Sequence, residues 1–435
     1  MFEVEVEKAP DERAILVGAP PHDRPRSQTR EHLEELKRLA HTAGAEVLGA
    51  VVQRLESPNP ATYIGKGKVE EVRQVAEQRG ATLILFDEDL SPAQGTELED
   101  RLGVRVMDRT ELILDIFALR ARTAEAKMQV ELAQLQYLRP RLKRMWTHLA
   151  RQAGGIGARG PGEQQIETDR RLIDRRIAML RDRLKDVAES RDVQRKGRED
   201  AFTAALVGYT NAGKSSILSG LSDSDLFVED RLFATLDSAT RSVELGEGYE
   251  ALVTDTVGFI RKLPHHLVAS FRATLEEVED ADLLVHVVDA SAPNWEQQVE
   301  TVEEVLEDLG NGTDGTDVLL VFHKIDRLTS AQEETLRERT DALRGPRVLT
   351  SVEREEGLDP LRDALREAIR SRRTTVRLVV PVSDGRTLAE AYEAGEVLER
   401  RQNGTEIELT ARVPEAVAGR WEGRSDLDVE RPDAA

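Results

Sequence analysis

The 435-residue chain has no cysteine, which excludes disulfides and zinc–thiolate centres. Long apolar runs are also missing: nothing approaches the roughly eighteen consecutive apolar residues that mark a membrane-spanning helix. The N-terminal MFEVEVEKAP is acidic and has no apolar stretch, so a secretory signal is not expected. A soluble, cytoplasmic protein of two to four domains is the expectation from length and composition. Lysine is scarce as well. Eleven Lys stand beside fifty Arg, and 82 acidic residues bring the net charge to -21. Acidity alone argues against a nucleic-acid partner. In a salt-rich cytoplasm, however, the Debye length falls to roughly 3 Å at 1 M, and long-range repulsion from RNA disappears. The acids are spread over every segment, as a halophilic source, expected to be an archaeon, would require. Codon bias toward Arg is the alternative, and the charge leaves an RNA partner open.

What the chain does have is Gly208-Tyr209-Thr210-Asn211-Ala212-Gly213-Lys214-Ser215, a G-x-x-x-x-G-K-[ST] loop. Phe202 to Val207 before it reads as a short buried strand, and Ser216-Ile217-Leu218 after it opens a helix. The glycines let backbone N–H groups close around phosphate oxygens where a Cβ would collide. Lys214 supplies charge to the outer phosphates, and Ser215 supplies a hydroxyl to magnesium. A glycine turn without chemistry is the bland alternative, and the full pattern between strand and helix disfavours it.

Residues 1–108 read as an α/β subdomain. Strand candidates at Ala14 to Val17, Val47 to Val52, Thr82 to Phe86 and Val104 to Val106 alternate with helical spacing at Arg30 to Thr42, Val69 to Gln78 and Leu90 to Leu102. That alternation implies a small parallel sheet covered by helices. Tyr63-Ile64-Gly65-Lys66-Gly67-Lys68 could grip a phosphate, although an ordinary connecting loop explains it better.

Residues 109–198 carry heptad spacing, through Leu112, Ile116, Leu119, Thr123, Ala126, Val130, Ala133 and Tyr137, then Ile173, Ile177, Leu180, Leu184 and Val187. Two such helices form an antiparallel coiled-coil hairpin, each burying a narrow seam. Its tip, residues 153–162, is glycine-rich and is not expected to be helical. Arg139, Arg141, Lys143, Arg144, Arg151, Arg170, Arg171, Arg175 and Arg176 crowd the approach, with Trp146 among them. RNA phosphates would suit this surface, with Trp146 for stacking. A solvated face whose Arg residues pair with Glu and Asp fits the charges equally well.

Residues 199–372 continue the nucleotide domain. Phe233-Ala234-Thr235-Leu236-Asp237 places a Thr where its hydroxyl can meet magnesium and its backbone the γ-phosphate. Asp255-Thr256-Val257-Gly258 follows a strand; Asp255 can hold magnesium through water, and Gly258 can offer its N–H to the γ-phosphate. In His323-Lys324-Ile325-Asp326, the Asp can accept the N1–H and exocyclic amine of guanine, which adenine does not present. Near Ser351 and Val352 a backbone N–H can meet guanine O6. Ser216 completes the nucleotide contacts expected around the phosphate loop. Four such elements in this order describe a P-loop, Ras-like G domain of translational type, with Mg2+ as cofactor and GTP and GDP as ligands. Lys214, Thr235 and Gly258 are the residues expected to act on the transferred phosphoryl group.

With these residues in view, the chain resembles HflX-type ribosome-associated GTPases from about residue 13 to 413. The likeness rests on Gly65 to Lys68, Asp108-Arg109-Thr110 to Arg139-Pro140, Gly154 to Gly157, Gly160 to Glu163, Gly208 to Ser215, Phe233 to Asp237 and Asp255 to Phe259. It implies GTP hydrolysis coupled to the large ribosomal subunit and its rRNA, with dissociation of stalled or idle ribosomes and the hairpin tip near the catalytic centre. ATP as a further ligand follows from the same resemblance, and a monomer is expected. His323 stands where the usual pattern has Asn; guanine preference through Asp326 with weaker binding is the expectation. Phe259, where many GTPases keep a water-orienting Gln, agrees with the family and implies slow intrinsic hydrolysis stimulated by the ribosome. Other readings are a nucleotide-gated RNA-binding factor with incidental hydrolysis, and a P-loop ATPase or kinase, which leaves Asp326 and Ser351 unexplained.

Beyond Arg370 to Arg373, read as a linker, residues 373–423 read as a small α/β module without visible chemistry. Residues 424–435 read as an acidic disordered tail.

Overall fold

The computed structural model describes residues 12–142, 161–195, 201–222, 232–263, 277–308 and 317–432, with 342, 344, 425 and 426 excepted. Packing divides the chain into two units. The first comprises residues 1–190 together with 229–237 and 261–274; the second comprises 191–228, 238–260 and 275–435.

In the first unit, β1 (Arg13–Gly18), α1 (Arg26–Thr42), β2 (Glu46–Val52), α2 (Lys66–Arg79), β3 (Leu83–Phe86), α3 (Pro92–Leu102) and β4 (Arg105–Asp108) alternate as their sequence does. The strands form a wholly parallel sheet in the order β2-β1-β3-β4. Ile15, Val17, Ile84 and Phe86 are completely buried, as strands covered on both faces must be. Ser91 and Gln94 close a capping box at the start of α3.

The heptad stretch departs from expectation. It breaks into α4 (Arg109–Arg120) and α5 (Ala124–Leu138), because Thr123 takes an extended conformation and its side chain caps α5 by accepting from Ala126 N–H. Against α6 (Pro161–Arg195), α5 presents Met128, Leu132 and Leu135, which cluster with Ile173, Ile177, Leu180 and Leu184. The heptad residues Ala126, Val130, Ala133 and Tyr137 are buried on another face of α5, and the Tyr137 hydroxyl donates to Asp108 at 3.0 Å. Residues 143–160, with most of the tip, lie outside the described residues; Pro161 and Gly162 of the expected tip instead begin α6.

The second unit holds β5 (Thr203–Gly208), α7 (Lys214–Ser222), β6 (Ala239–Gly246), β7 (Tyr249–Asp255), β8 (Leu283–Asp289), α8 (Trp295–Asp308), β9 (Asp317–His323), α9 (Ser330–Asp341), β10 (Arg347–Leu349) and α10 (Asp359–Ser371). Their six-stranded sheet runs β10-β9-β8-β5-β7-β6, parallel except for β6 against β7. A separate antiparallel sheet, β12-β13-β11-β14, contains β11 (Arg373–Pro381), β12 (Glu396–Asn403), β13 (Glu406–Pro414) and β14 (Asp428–Glu430). With α11 (Gly385–Ala394) and α12 (Glu415–Glu422) it has its own core, centred on Trp421.

Two expectations fail here. Of the expected linker Arg370 to Arg373, Arg370 and Ser371 end α10 and Arg373 begins β11, leaving Arg372 between them to pair with Asp282 at 2.8 Å and Asp317 at 3.2 Å. Nor is the described part of 424–435 a disordered tail, since β14 pairs with β11 while Leu427 and Val429 pack onto the module's core. Alternation of those two apolar residues within an acidic stretch supplies one buried face. Strand β12 escaped the sequence reading because Glu399 to Asn403 are polar and exposed along an edge.

Candidate nucleotide site

The phosphate loop joins the end of β5 to the start of α7, so backbone N–H groups converge at a helix N-terminus. Gly208 has φ 149°, and a Cβ there would lie 2.3 Å from the Val287 carbonyl oxygen. Gly213 has φ 107°, and its Cβ would lie 2.4 Å from His323 Cδ2. Neither position tolerates a side chain. Lys214 Nζ donates to the carbonyls of Gly208 and Tyr209, each at 3.2 Å, which points the ammonium along the loop. Burial lowers its pKa to about 8, partly opposed by the Asp255 carboxylate.

Ser215 at the start of α7 and Asp255 at the end of β7 come together, the hydroxyl donating to the carboxylate at 2.6 Å. A hydroxyl and a carboxylate side by side beside the phosphate loop are an oxygen donor set suited to Mg2+. The segment after Asp255 docks on the same loop. Phe259 N–H donates to Gly208 O at 3.0 Å, Thr210 N–H donates to Phe259 O at 2.6 Å, and the Phe259 ring is buried. A Cβ on Gly258 would lie 2.6 Å from Thr210 Cα and 3.1 Å from Lys214 Nζ, so the Gly258 backbone runs beside the lysine. Thr256 is different: it is buried, and its hydroxyl donates to Leu206 O at 2.7 Å, leaving contact with a ligand to the backbone. Val257 is buried as well.

Around the base-recognition residues, Lys324 adopts the left-handed conformation at φ 61° and its Nζ bridges Asn211 O at 2.7 Å and Asp289 Oδ2 at 2.8 Å. Asp326 is exposed, with Oδ1 accepting the Ser351 hydroxyl at 2.6 Å. Ile325 is buried in a neighbouring apolar cluster. The Ser351 N–H, a candidate for guanine O6, instead donates to Gly357 O at 3.1 Å, and the Thr350 N–H donates to Phe322 O at 2.9 Å. Val352 makes no backbone hydrogen bond among the described residues, which makes its N–H the better candidate. His323 is buried, with Nδ1 3.0 Å from Thr350 Oγ1. Burial, then the Lys324 charge, lowers its pKa to about 4, so the ring is neutral near pH 7. Thr350 lies in the loop expected to carry the O6 contact, Asp289 was expected only as the end of an apolar strand, and Gly357 was not anticipated.

The 229–237 segment, with Thr235, belongs by packing to the first unit. Phe233 is buried with its ring edge-to-face on Phe117, centroids 4.7 Å apart. Leu236 is buried too, while Ala234 is exposed. The Asp237 carboxylate accepts from Arg122 N–H at 3.1 Å and from the Thr123 hydroxyl, at the start of α5. Residues 261–263 belong to the same unit. Arg261 pairs with Asp87 at 2.7 Å and Glu35 at 2.9 Å, Lys262 pairs with Asp87 and Glu88, and fully buried Arg109 pairs with Asp87 at 3.1 Å and with Glu35. Burial would raise the Asp87 pKa, but Arg261, Arg109 and Lys262 outweigh it and hold the carboxyl below its ordinary value. This cluster had no local sequence signature, since its members lie far apart in the chain.

Of the basic hairpin residues, Arg141 stacks on the Tyr137 ring at 3.5 Å and reaches Leu90 O and Asp108. Arg176 is bidentate on Glu131, Arg139 pairs with Asp174, and Arg171 with Glu167. Lys143, Arg144, Trp146 and Arg151 lie outside the described residues.

A phosphate loop, an adjoining Ser–Asp pair, and an Asp beside a Ser-bearing base loop on a β10-β9-β8-β5-β7-β6 sheet define a P-loop GTPase. Family models match residues 30–118 as "GTP-binding GTPase N-terminal", 120–198 as "GTP-binding GTPase Middle Region" and 203–324 as "50S ribosome-binding GTPase". GTPase HflX of Magnetococcus marinus is 46% identical over 428 residues, 98% of both chains. GTPase HflX of Caldanaerobacter subterraneus is 43% identical, over 92% of this chain and 91% of that one. Among solved structures, a GTP-binding protein from Sulfolobus solfataricus in complex with GDP is 24% identical, covering 82% of this chain and 98% of its own, at a TM-score of 0.43. The chain belongs to the HflX family of GTPases, and it is a GTP-hydrolysing enzyme.

Proposed function

We propose that this GTPase binds the large ribosomal subunit through its rRNA and dissociates stalled or idle ribosomes, with GTP switching the contacts of its N-terminal region. The observation that carries the switch is where the chain changes units. The described parts of both segments beside the expected γ-phosphate residues, 232–237 and 261–263, pack with the N-terminal unit. A shift of either segment with nucleotide state therefore acts on α5 through Asp237 and on Asp87 through Arg261 and Lys262.

In this reading the phosphate loop, residues 208–216, cradles the phosphates, and Lys214 neutralises the β- and γ-phosphate oxygens. Ser215 and Thr235 would hold Mg2+, with Asp255 acting through water; the bound ion would neutralise charge developing on the phosphates. Gly258 offers its N–H to the γ-phosphate, Asp326 selects guanine, and the Val352 N–H meets O6. Residues 233–237 and residues 255–258 are each read as nucleotide contacts. No side chain is assigned as general base. Phe259 has no group to orient water, so slow hydrolysis by the protein alone and stimulation by the ribosome belong to the same reading. The protein acts as a cytoplasmic monomer, and ATP is a further ligand, the latter on the ground of the family resemblance. No helix among the described residues is long and apolar enough to cross a membrane.

Co-sedimentation with purified large ribosomal subunits in concentrated KCl tests the reading. More protein should pellet with a non-hydrolysable GTP analogue than with GDP. Equal pelleting with both nucleotides, or none with either, would overturn it.

A further inference from the structure

We infer that His323 is a positioning residue that sets guanine selection through Thr350 without touching the base. The inference rests on reading Asp326 and Val352 as the guanine contacts. An Asn here would carry a donor and an acceptor on one short stem, and a direct bond to the base would be its natural use. The imidazole in this chain is committed elsewhere. Its Nδ1 faces Thr350 Oγ1 at 3.0 Å, and its other edge lies against the phosphate loop, where a Gly213 Cβ would come within 2.4 Å of Cδ2 and 3.0 Å of Nε2. Only 1% of the residue is exposed, so the ring has no surface left for a ligand.

The ring therefore wedges between residues 213 and 350 and joins the phosphate loop to the base loop. Thr350 is followed by Ser351, whose hydroxyl fixes Asp326 at 2.6 Å, and then by Val352. Lys324 makes a parallel tie from Asn211 to Asp289. Consecutive residues thus both reach the phosphate loop, His323 joining it to Thr350 through a neutral ring and Lys324 joining it to Asp289 through a charge. Loss of the ring leaves the Thr350 hydroxyl buried without its partner, and the strand-end that aims Ser351 and Val352 loosens. Selection for guanine over adenine then weakens more than phosphate binding does.

Calorimetry on the full-length protein in KCl decides this, with GDP, ADP and 7-deazaguanosine diphosphate, which lacks the base nitrogen a donor at this position could reach. Wild-type protein should bind the deaza compound within about threefold of GDP. His323→Ala and Thr350→Val should each narrow the GDP-to-ADP affinity ratio about tenfold, the scale of one buried hydrogen bond. His323→Asn should restore that ratio to within about threefold of wild type by supplying a donor and an acceptor again. The Thr350 variant keeps the test open should the alanine variant fail to fold. Tenfold weaker binding of the deaza compound would mean that the ring touches the base, and the inference falls. It also falls if both variants keep the wild-type ratio while Asp326→Ala loses it. If Asp326→Ala keeps its preference for GDP, the reading of the guanine pocket is wrong and the assignment goes with it.

Discussion

The Ser215 hydroxyl donates to Asp255 Oδ2 at 2.6 Å, joining the first turn of α7 to the end of β7 across forty positions of sequence. Strand β7 pairs in parallel with β5, and Leu206 lies opposite Asp255, which brings the carboxylate level with the root of the phosphate loop. If this pair is the magnesium seat, Mg2+ should slow GDP release from the wild-type protein, and EDTA should speed it. In Ser215→Ala and Asp255→Asn that metal effect should shrink at least about tenfold, each variant removing one oxygen from the donor set. Release of a fluorescent GDP analogue with and without EDTA measures it.

Lys214 gives a pH dependence. Its folded pKa, lowered to about 8 by burial, lies below the unfolded value, so folding favours loss of its proton between the two. Stability from this group should rise as pH climbs through 8, whereas a phosphate ligand favours the charged ammonium. GDP affinity should therefore fall above pH 8, and binding there should take up a proton. Calorimetry at pH 8.5 in buffers of different ionisation enthalpy checks the uptake, and Lys214→Arg should abolish it.

Asp87 is buried among Arg109, Arg261 and Lys262. Its lowered pKa means that its contribution to stability is complete above the unfolded carboxylate value and is lost as pH falls through the folded one. Asp87→Asn should destabilise the protein by about 3 kcal/mol, because it leaves buried cations without their counter-charge. Urea denaturation at pH 7 should show that loss, and the gap from wild type should close in acid.

The C-terminal strand is tested by truncation. Ending the chain at residue 426 removes Leu427 and Val429 from the module's core and uncovers β11. Burial of those two side chains is worth about 3 kcal/mol, and melting of the truncated protein should come correspondingly earlier. Nucleotide affinity should not change, since no residue assigned to the site lies in this module.

A net charge of -21 predicts a salt requirement. Self-repulsion is strongest in dilute buffer, so the melting temperature should rise steeply with KCl toward roughly 1 M, where the Debye length falls to about 3 Å. Circular dichroism across a KCl series measures it, and the loss at low salt should be reversible.

Local pattern was enough for a good deal of this. A phosphate loop declares itself within eight consecutive residues because glycine at 208 and 213, and Lys-Ser after them, are demanded by backbone geometry and phosphate chemistry. Parallel strands such as Ala14 to Val17 declare themselves as apolar runs, since both their faces are covered. Tertiary structure decided what depends on neighbours distant in sequence. The heptad spacing at 112–137 is continuous, yet Thr123 caps a new helix there and a different stripe of α5 meets α6. Ser351 looks like a base contact until Gly357 takes its N–H. Residues 232–237 and 261–263 follow the nucleotide motifs in sequence but pack with the N-terminal unit, because Phe233 and Arg261 find partners at Phe117, Asp87 and Glu35. Periodicity and motif spacing describe what one segment can do for itself. Ion pairs and ring contacts between segments arise only when the whole chain has folded and desolvated them together.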